Sequence, residues 1–148
     1  MRDIRLRDSI PNLVSRLFRS MARIHNRALK GFEISAVQAH VLTVLWLEGP
    51  MNMGELQAVL ALKSSTLTGT IDRMEQAGLV RRVEEPGDRR AWRIEPASWP
   101  QRKRDELERQ LSATEAECFE ELGAGERKEL VRLLTKAIAS IERADHGE

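Results

Sequence analysis

The 148-residue sequence predicts a mainly α-helical protein with one small β-hairpin just past its middle. Three observations carry that prediction. Apolar residues recur at helical spacing along most of the chain. Leu, Glu, Arg and Ala dominate a composition with only 4% aromatic residues, a mix that favours helix. One stretch alone, Val80 to Ile94, abandons the helical period, and it brackets the turn-forming Pro86-Gly87-Asp88.

Ile10, Leu13, Val14, Leu17, Phe18, Met21, Ile24 and Ala28 follow the i, i+3, i+4, i+7 rule, with Arg16, Arg19, Arg23 and Arg27 on the other side. Ser9 and Pro11 mark the start of this first helix and Gly31 its stop. Its broad apolar stripe is expected to meet, in part, another chain. A second helix begins at Ser35, which has capping-box spacing to Gln38, and ends at Gly49-Pro50. Val37, Val41, Leu42, Val44, Leu45 and Leu47 predict its burial on more than one side.

A short third helix is expected from Gly54 to Leu60, with Leu56, Val59 and Leu60 inward. The fourth starts near Ser64 or Ser65 and buries Leu67, Ile71 and Met74; Thr66, Thr68, Gly69, Arg73 and Gln76 then face outward, and Gly78 supplies a left-handed stop. Strands at 80–84 and 91–94 form the hairpin. Ser98 and Gln101 give a second capping box, with Pro100 in the first turn of a long fifth helix marked by Leu107, Leu111, Cys118, Phe119 and Leu122. Gly123-Ala124-Gly125 breaks it, and a last helix runs to about Arg143. The expected organisation is one domain, 1–148, in which a helical unit with a hairpin (31–97) lies between end helices at 1–30 and 98–148. Those end helices are too long to be buried on so small a unit, so a twofold dimer through both ends is expected.

Composition excludes several classes. No apolar run approaches the roughly 20 residues of a membrane span. The charged start lacks the apolar stretch of a secretory signal, and the single cysteine, Cys118, permits no intramolecular disulfide; both point to the cytoplasm. No phosphate-cradling Gly-rich loop, nucleophile triad or His-Glu-x-x-His stands in the sequence, so neither an enzyme nor a cofactor is expected. His25, His40 and His146 are scattered without metal-ligand spacing, so no metal site is expected either.

The net charge of +1 conceals strong segregation. Residues 1–30 carry eight bases against two acids, residues 31–60 three acids and no base, residues 61–104 ten bases against six acids, and residues 105–148 six against twelve. The basic excess near the middle coincides with the hairpin and with a helix that presents small hydroxyls. Such a helix fits a DNA major groove about 12 Å wide, and arginines at a hairpin tip can reach the minor groove beside it. A winged helix-turn-helix is the arrangement these elements make. The charge runs also read as solvated helix faces.

From Ser64 to Arg82, and again at Asp88-Arg89-Arg90, the sequence resembles the multiple-antibiotic-resistance regulator (MarR) family, with a similar order of elements over nearly the whole chain. The resemblance implies a dimeric bacterial transcription regulator, most often a repressor, that binds a palindromic operator and responds to a small aromatic or anionic effector. It implies that Ser64, Ser65, Thr66, Thr68 and Gly69 face bases and phosphates, and that Arg73 lies near the backbone. Asp88 and Arg90 match the family's Asp-x-Arg wing motif, in which the arginine enters the minor groove and the aspartate holds it; Arg89 approaches phosphate or solvent. For the effector, Thr68 and Arg82 match contact positions of some relatives, with Arg16, Arg23 and His40 as further candidates; the three arginines serve equally well as phosphate or solvent contacts, and His40 as a structural or solvent-facing residue. Relatives that sense oxidation carry a reactive cysteine near the N-terminus, which this chain lacks. The chain departs from the family at Glu95-Pro96-Ala97-Ser98-Trp99-Pro100, where relatives have a Leu-Thr pair and a glycine. The rival reading is a winged-helix module for protein–protein assembly, whose affinity for DNA would lack the steep salt dependence of counterion release.

Overall fold

A computed structural model describes residues 6–145, with the side chains of Leu6, Arg89 and Arg90 outside that description. Six helices and three strands follow in the order α1 (Ile10–Ala28), α2 (Ala36–Glu48), β1 (Met51–Asn52), α3 (Met53–Leu60), α4 (Ser64–Gln76), β2 (Val80–Glu85), β3 (Asp88–Pro96), α5 (Gln101–Cys118) and α6 (Ala124–Asp145). The chain packs as two units, Met1–Leu111 and Ser112–Glu148. This division groups more with the hairpin unit than the 31–97 boundaries do. Leu29, just past α1, and Leu107 of α5 are both fully buried in the core of the first unit, which ties those segments to it.

That core is built by α2, the inner faces of α3 and α4, and one face of the sheet. Ala39, Val41, Leu42, Val44 and Leu45 are buried along α2, so the helix is covered on several sides as its sequence requires. The capping box at Ser35 forms as expected: Gln38 N–H donates to Ser35 Oγ (3.3 Å) and Ser35 N–H to Gln38 Oε1 (2.8 Å). Before it, α1 stops at Ala28 instead of running to Gly31, because the chain turns in to bury Leu29 and passes through a 3-10 turn, Lys30–Phe32. Asn26 Oδ1 accepts the Ala36 N–H (2.8 Å) and joins the two helices.

The sheet is antiparallel with order β1-β3-β2. β1 is two residues long, pairing Met51 with Ile94 and Asn52 with Arg93, and has no sequence period to announce it. Asn52 also caps α3, which therefore begins one residue earlier than Gly54: its Oδ1 accepts Glu55 N–H (2.9 Å), while its own N–H donates to Glu55 Oε2 (2.8 Å). The hairpin strands are longer than expected because ladder pairing extends from Val80↔Pro96 to Glu85↔Asp88, past the apolar residues that mark them.

The second capping box does not form. Gln101 reaches forward to Asp105 Oδ1 (2.7 Å), and α5 starts at Gln101 with the Pro100 carbonyl accepting Lys103 N–H (2.9 Å). What seats this segment is Trp99. Its ring lies parallel to Phe32 (centroids 6.5 Å) and edge-on to Trp46 (5.4 Å), with Lys103 Nζ 4.1 Å from its centroid and Arg104 against Trp46. The departure from the family pattern at 95–100 is thus filled by an aromatic anchor.

In the second unit, α5 ends at Cys118, short of the expected break at Gly123. Arg127 donates to the carbonyls of Phe119 (2.7 Å) and Leu122 (3.1 Å) and holds the turn, after which Gly123 opens α6. Neither α1 nor α6 has a buried residue. Ile10, Phe18, Val131, Ile138 and Ile141 are each more than half exposed.

Candidate nucleic-acid interface

α4 has two chemically distinct faces. Leu67, Thr70, Ile71 and Met74 are buried beneath it, and Ser64, Ser65, Thr66, Thr68, Arg73 and Gln76 are exposed above, with Gly69 between. Thr70, a hydroxyl among apolar neighbours, is satisfied by donating to the Thr66 carbonyl (2.8 Å), and Arg73 rests against it at 3.5 Å. The exposed row is short and polar, so a duplex could approach the helix closely. Of the five residues expected outward, Thr66, Thr68, Arg73 and Gln76 are exposed and Gly69 is half-buried.

The wing follows after a tight exit. Gly78 takes φ +69, its N–H meets the Glu75 carbonyl (3.0 Å) and Leu79 N–H the Met74 carbonyl (2.8 Å), a Schellman closure. At the far end Pro86 and Gly87, the latter at φ +89, join β2 to β3. Asp88 is exposed at the tip; the side chains of Arg89 and Arg90 lie outside the described residues. Cross-strand charge pairs stiffen the hairpin. Arg81 pairs with Glu95 directly opposite (2.7 Å), and Arg93 with Glu85 (3.1 Å), while Glu55 of α3 stands 4.0 Å from Arg93.

Arg82 connects wing to helix. Its Nη2 donates to Asp72 Oδ1 (2.6 Å) and its Nη1 to Glu75, whose other oxygen accepts the Arg82 backbone N–H (3.1 Å). The bond to Asp72 raises the guanidinium pKa, opposed by partial burial and aided by Glu75. With two carboxylates on it, the single charge of this side chain is more than balanced internally, which separates it from the other effector candidates. Sequence reading missed the connection because Arg82 meets two residues seven and ten positions away through a change of element.

The remaining candidates lie on other elements. Arg16 and Arg23 are exposed on α1, Arg23 donating to Ser20 (3.2 Å). His40 is exposed on α2, and desolvation lowers its pKa. His25 Nδ1 lies 2.9 Å from the Met21 carbonyl within α1, and His146 is outside the described residues. Among the described residues no three His, Cys, Asp or Glu side chains cluster to hold a metal. Burial, then the neighbouring Glu117 and Glu115, pushes the Cys118 thiol pKa up, away from the thiolate that oxidants attack. A groove of about 570 Å³ opens in the first unit between Phe32 and the start of α5, lined by Pro100, Arg102, Lys103, Glu106 and Arg109. No helix of the described residues is long and apolar enough to cross a membrane.

A reading helix over a buried apolar underside, with a charged hairpin clamped beside it, defines a winged helix-turn-helix DNA-binding protein. Residues 34–92 match the MarR family. The chain is 32% identical over 117 residues to the HTH-type transcriptional regulator MgrA of Staphylococcus aureus, covering 79% of this chain and 78% of that one. Its fold is similar to a mutant MarR from E. coli complexed with operator DNA, with a TM-score of 0.79 and 24% identity over 90% of this chain and 97% of that one. It is similar also to Bordetella bronchiseptica BpsR, whose DNA binding is regulated by 6-hydroxynicotinic acid (TM-score 0.81, 21% identity, 89% and 94% covered). The chain belongs to the MarR family of DNA-binding transcriptional regulators, which are not enzymes.

Proposed function

We propose that the protein is a cytoplasmic, homodimeric repressor that occupies a palindromic operator and leaves it when a small aromatic or anionic effector binds. The observation that carries the reading is the exposed row Ser64, Ser65, Thr66, Thr68 and Arg73 on a helix whose other face is buried, beside a hairpin tipped by Asp88. Hydroxyls and the Arg73 guanidinium contact base edges and phosphates in the major groove; Gly69 lets the helix approach; Arg90 enters the minor groove, and Arg89 meets phosphate. A dimer is supported by the uncovered apolar faces of α1 and α6 and by the opposite charge of the two chain ends. Two recognition helices related by a twofold axis read inverted half-sites about 10–10.5 base pairs apart. Selection of a binding duplex from a random pool, followed by footprinting, checks this: two inverted half-sites are expected, and an asymmetric footprint from one half-site at saturating protein would contradict it.

The effector reading draws on the groove at Phe32, Arg102 and Lys103, where one aromatic ring meets positive charge and Glu106 pairs with Arg109. Exposed Thr68, His40, Arg16 and Arg23 remain candidates on other elements, whereas the carboxylate partners of Arg82 weaken its candidacy.

The wing offers a test by sign. Arg90→Ala is expected to cost about 1–3 kcal/mol and relax preference at flanking A·T positions; Arg89→Ala should weaken all duplexes alike, by less. Asp88→Ala removes a negative charge, yet weaker binding is expected because its proposed task is to hold Arg90. Anisotropy titrations of the three variants at two salt concentrations decide the matter, and tighter binding by Asp88→Ala would sink the orienting role.

A further inference from the structure

We propose that Arg82 is a positioning residue for DNA recognition: with Asp72 and Glu75 it sets the angle between recognition helix and wing, so that both enter the duplex together. The proposal rests on the DNA-binding reading above and concerns how the two reading elements are kept in register.

The geometry is that of a three-point fastening. Asp72 and Glu75 are three positions apart, on the flank of α4 facing β2, and each receives one arm of the Arg82 guanidinium. Glu75 also takes the Arg82 backbone N–H. β2 is an edge strand, paired only with β3, so that N–H points away from the sheet and would otherwise go to solvent. The helix carboxylate therefore holds the strand's backbone as well as its side chain. Only Ala77, Gly78 and Leu79 separate the two elements. The Schellman closure fixes where the chain leaves the helix; the fastening fixes the angle at which the strand swings out from that exit.

Magnitude shows why this matters. From Arg82 to the turn at Gly87 is five residues, about 17 Å of extended strand. A swing of about 10° at the base displaces the tip by about 3 Å, the full length of a hydrogen bond. An arginine meant for the minor groove then misses it while the helix still sits in the major groove. The three side chains are partly exposed (28, 48 and 38%), so the pairs contribute little to global stability. Their consequence is orientation. A planar fork is also what bridging two separated carboxylates requires, and lysine, with one ammonium, cannot reproduce it.

The competing account makes Arg82 a plain basic residue that attracts phosphate, with Asp72 and Glu75 repelling it. The two accounts differ in sign. The experiment compares wild type, Arg82→Lys, and the double variant Asp72→Asn/Glu75→Gln on two probes: a duplex selected by the wild type from a random pool, and an unrelated duplex of the same length. Fastening predicts that both variants lose about tenfold on the selected duplex and stay within about twofold of wild type on the unrelated one, with melting temperatures little changed. Tighter binding of both duplexes by the double variant, with Arg82→Lys indistinguishable from wild type, would overturn it. If the double variant lacks a cooperative melt, Arg82→Lys carries the test alone: selectivity kept overturns the proposal, selectivity lost supports it. A wild type that selects no sequence would instead sink the DNA reading itself.

Discussion

Ile71→Ala is expected to lower the free energy of unfolding by about 3 kcal/mol, while Thr68→Ala, three residues earlier on the same helix, leaves stability within about 0.5 kcal/mol. Ile71 is fully buried in the core and its truncation removes three heavy atoms that the surrounding Leu and Met side chains cannot replace. Thr68 is exposed, and alanine's better helix propensity offsets whatever its hydroxyl contributes. The order reverses for DNA. Thr68→Ala should weaken binding of a selected duplex several-fold with an unchanged melting curve. Ile71→Ala should bind nearly normally at low temperature and fail as it unfolds. Denaturant titration and anisotropy on the same preparations separate the two faces; a Thr68→Ala protein that binds like wild type would remove that residue from the reading surface.

Deleting residues 1–24 is expected to abolish both DNA binding and the soluble dimer. α1 and α6 each present a row of large apolar side chains with none buried in the isolated chain, and exposed apolar faces of this kind mark interaction surfaces. In the proposed dimer the stripes of both helices are covered by a second copy. Removing most of α1 uncovers what it met and leaves the remaining chain to aggregate or unfold. Sedimentation and circular dichroism give the answer directly, and a soluble, folded, monomeric truncation would count against the proposed assembly.

Helical periodicity made most of the fold legible. The apolar spacing of α1, α2, α4 and α6 places those helices within a few residues, and the loss of that spacing at 80–94 places the hairpin. The two faces of α4 were also readable, because Leu67, Ile71 and Met74 fall on one side whatever the helix packs against. Features that depend on distant residues were not. β1 is two residues long and exists only because β3 offers it an edge. Phe32, Trp46 and Trp99 are too far apart in sequence for spacing to bring them together; the single Trp99 within the family departure was the only hint. The partners of Arg82 were illegible for the same reason: they lie on another element, and pairing across an element boundary has no period. The capping box at Ser98 fails differently, since its spacing is right but Gln101 finds a closer partner one turn ahead in Asp105.

The placement of the three tryptophans gives the protein an optical character of its own. With no tyrosine in the chain, its near-ultraviolet emission belongs to indoles alone. Trp46 and Trp99, edge to face at 5.4 Å, form a coupled pair at the start of α5, whereas Trp92 stands half exposed on the wing strand. The solvated indole of Trp92 emits at longer wavelength and is the one a duplex would quench, while the pair gives the signed near-ultraviolet dichroism of two neighbouring transitions. Replacing Trp92 by Phe separates the two signals. Engagement of the wing and events at the α5 anchor can then be followed independently in unlabelled protein.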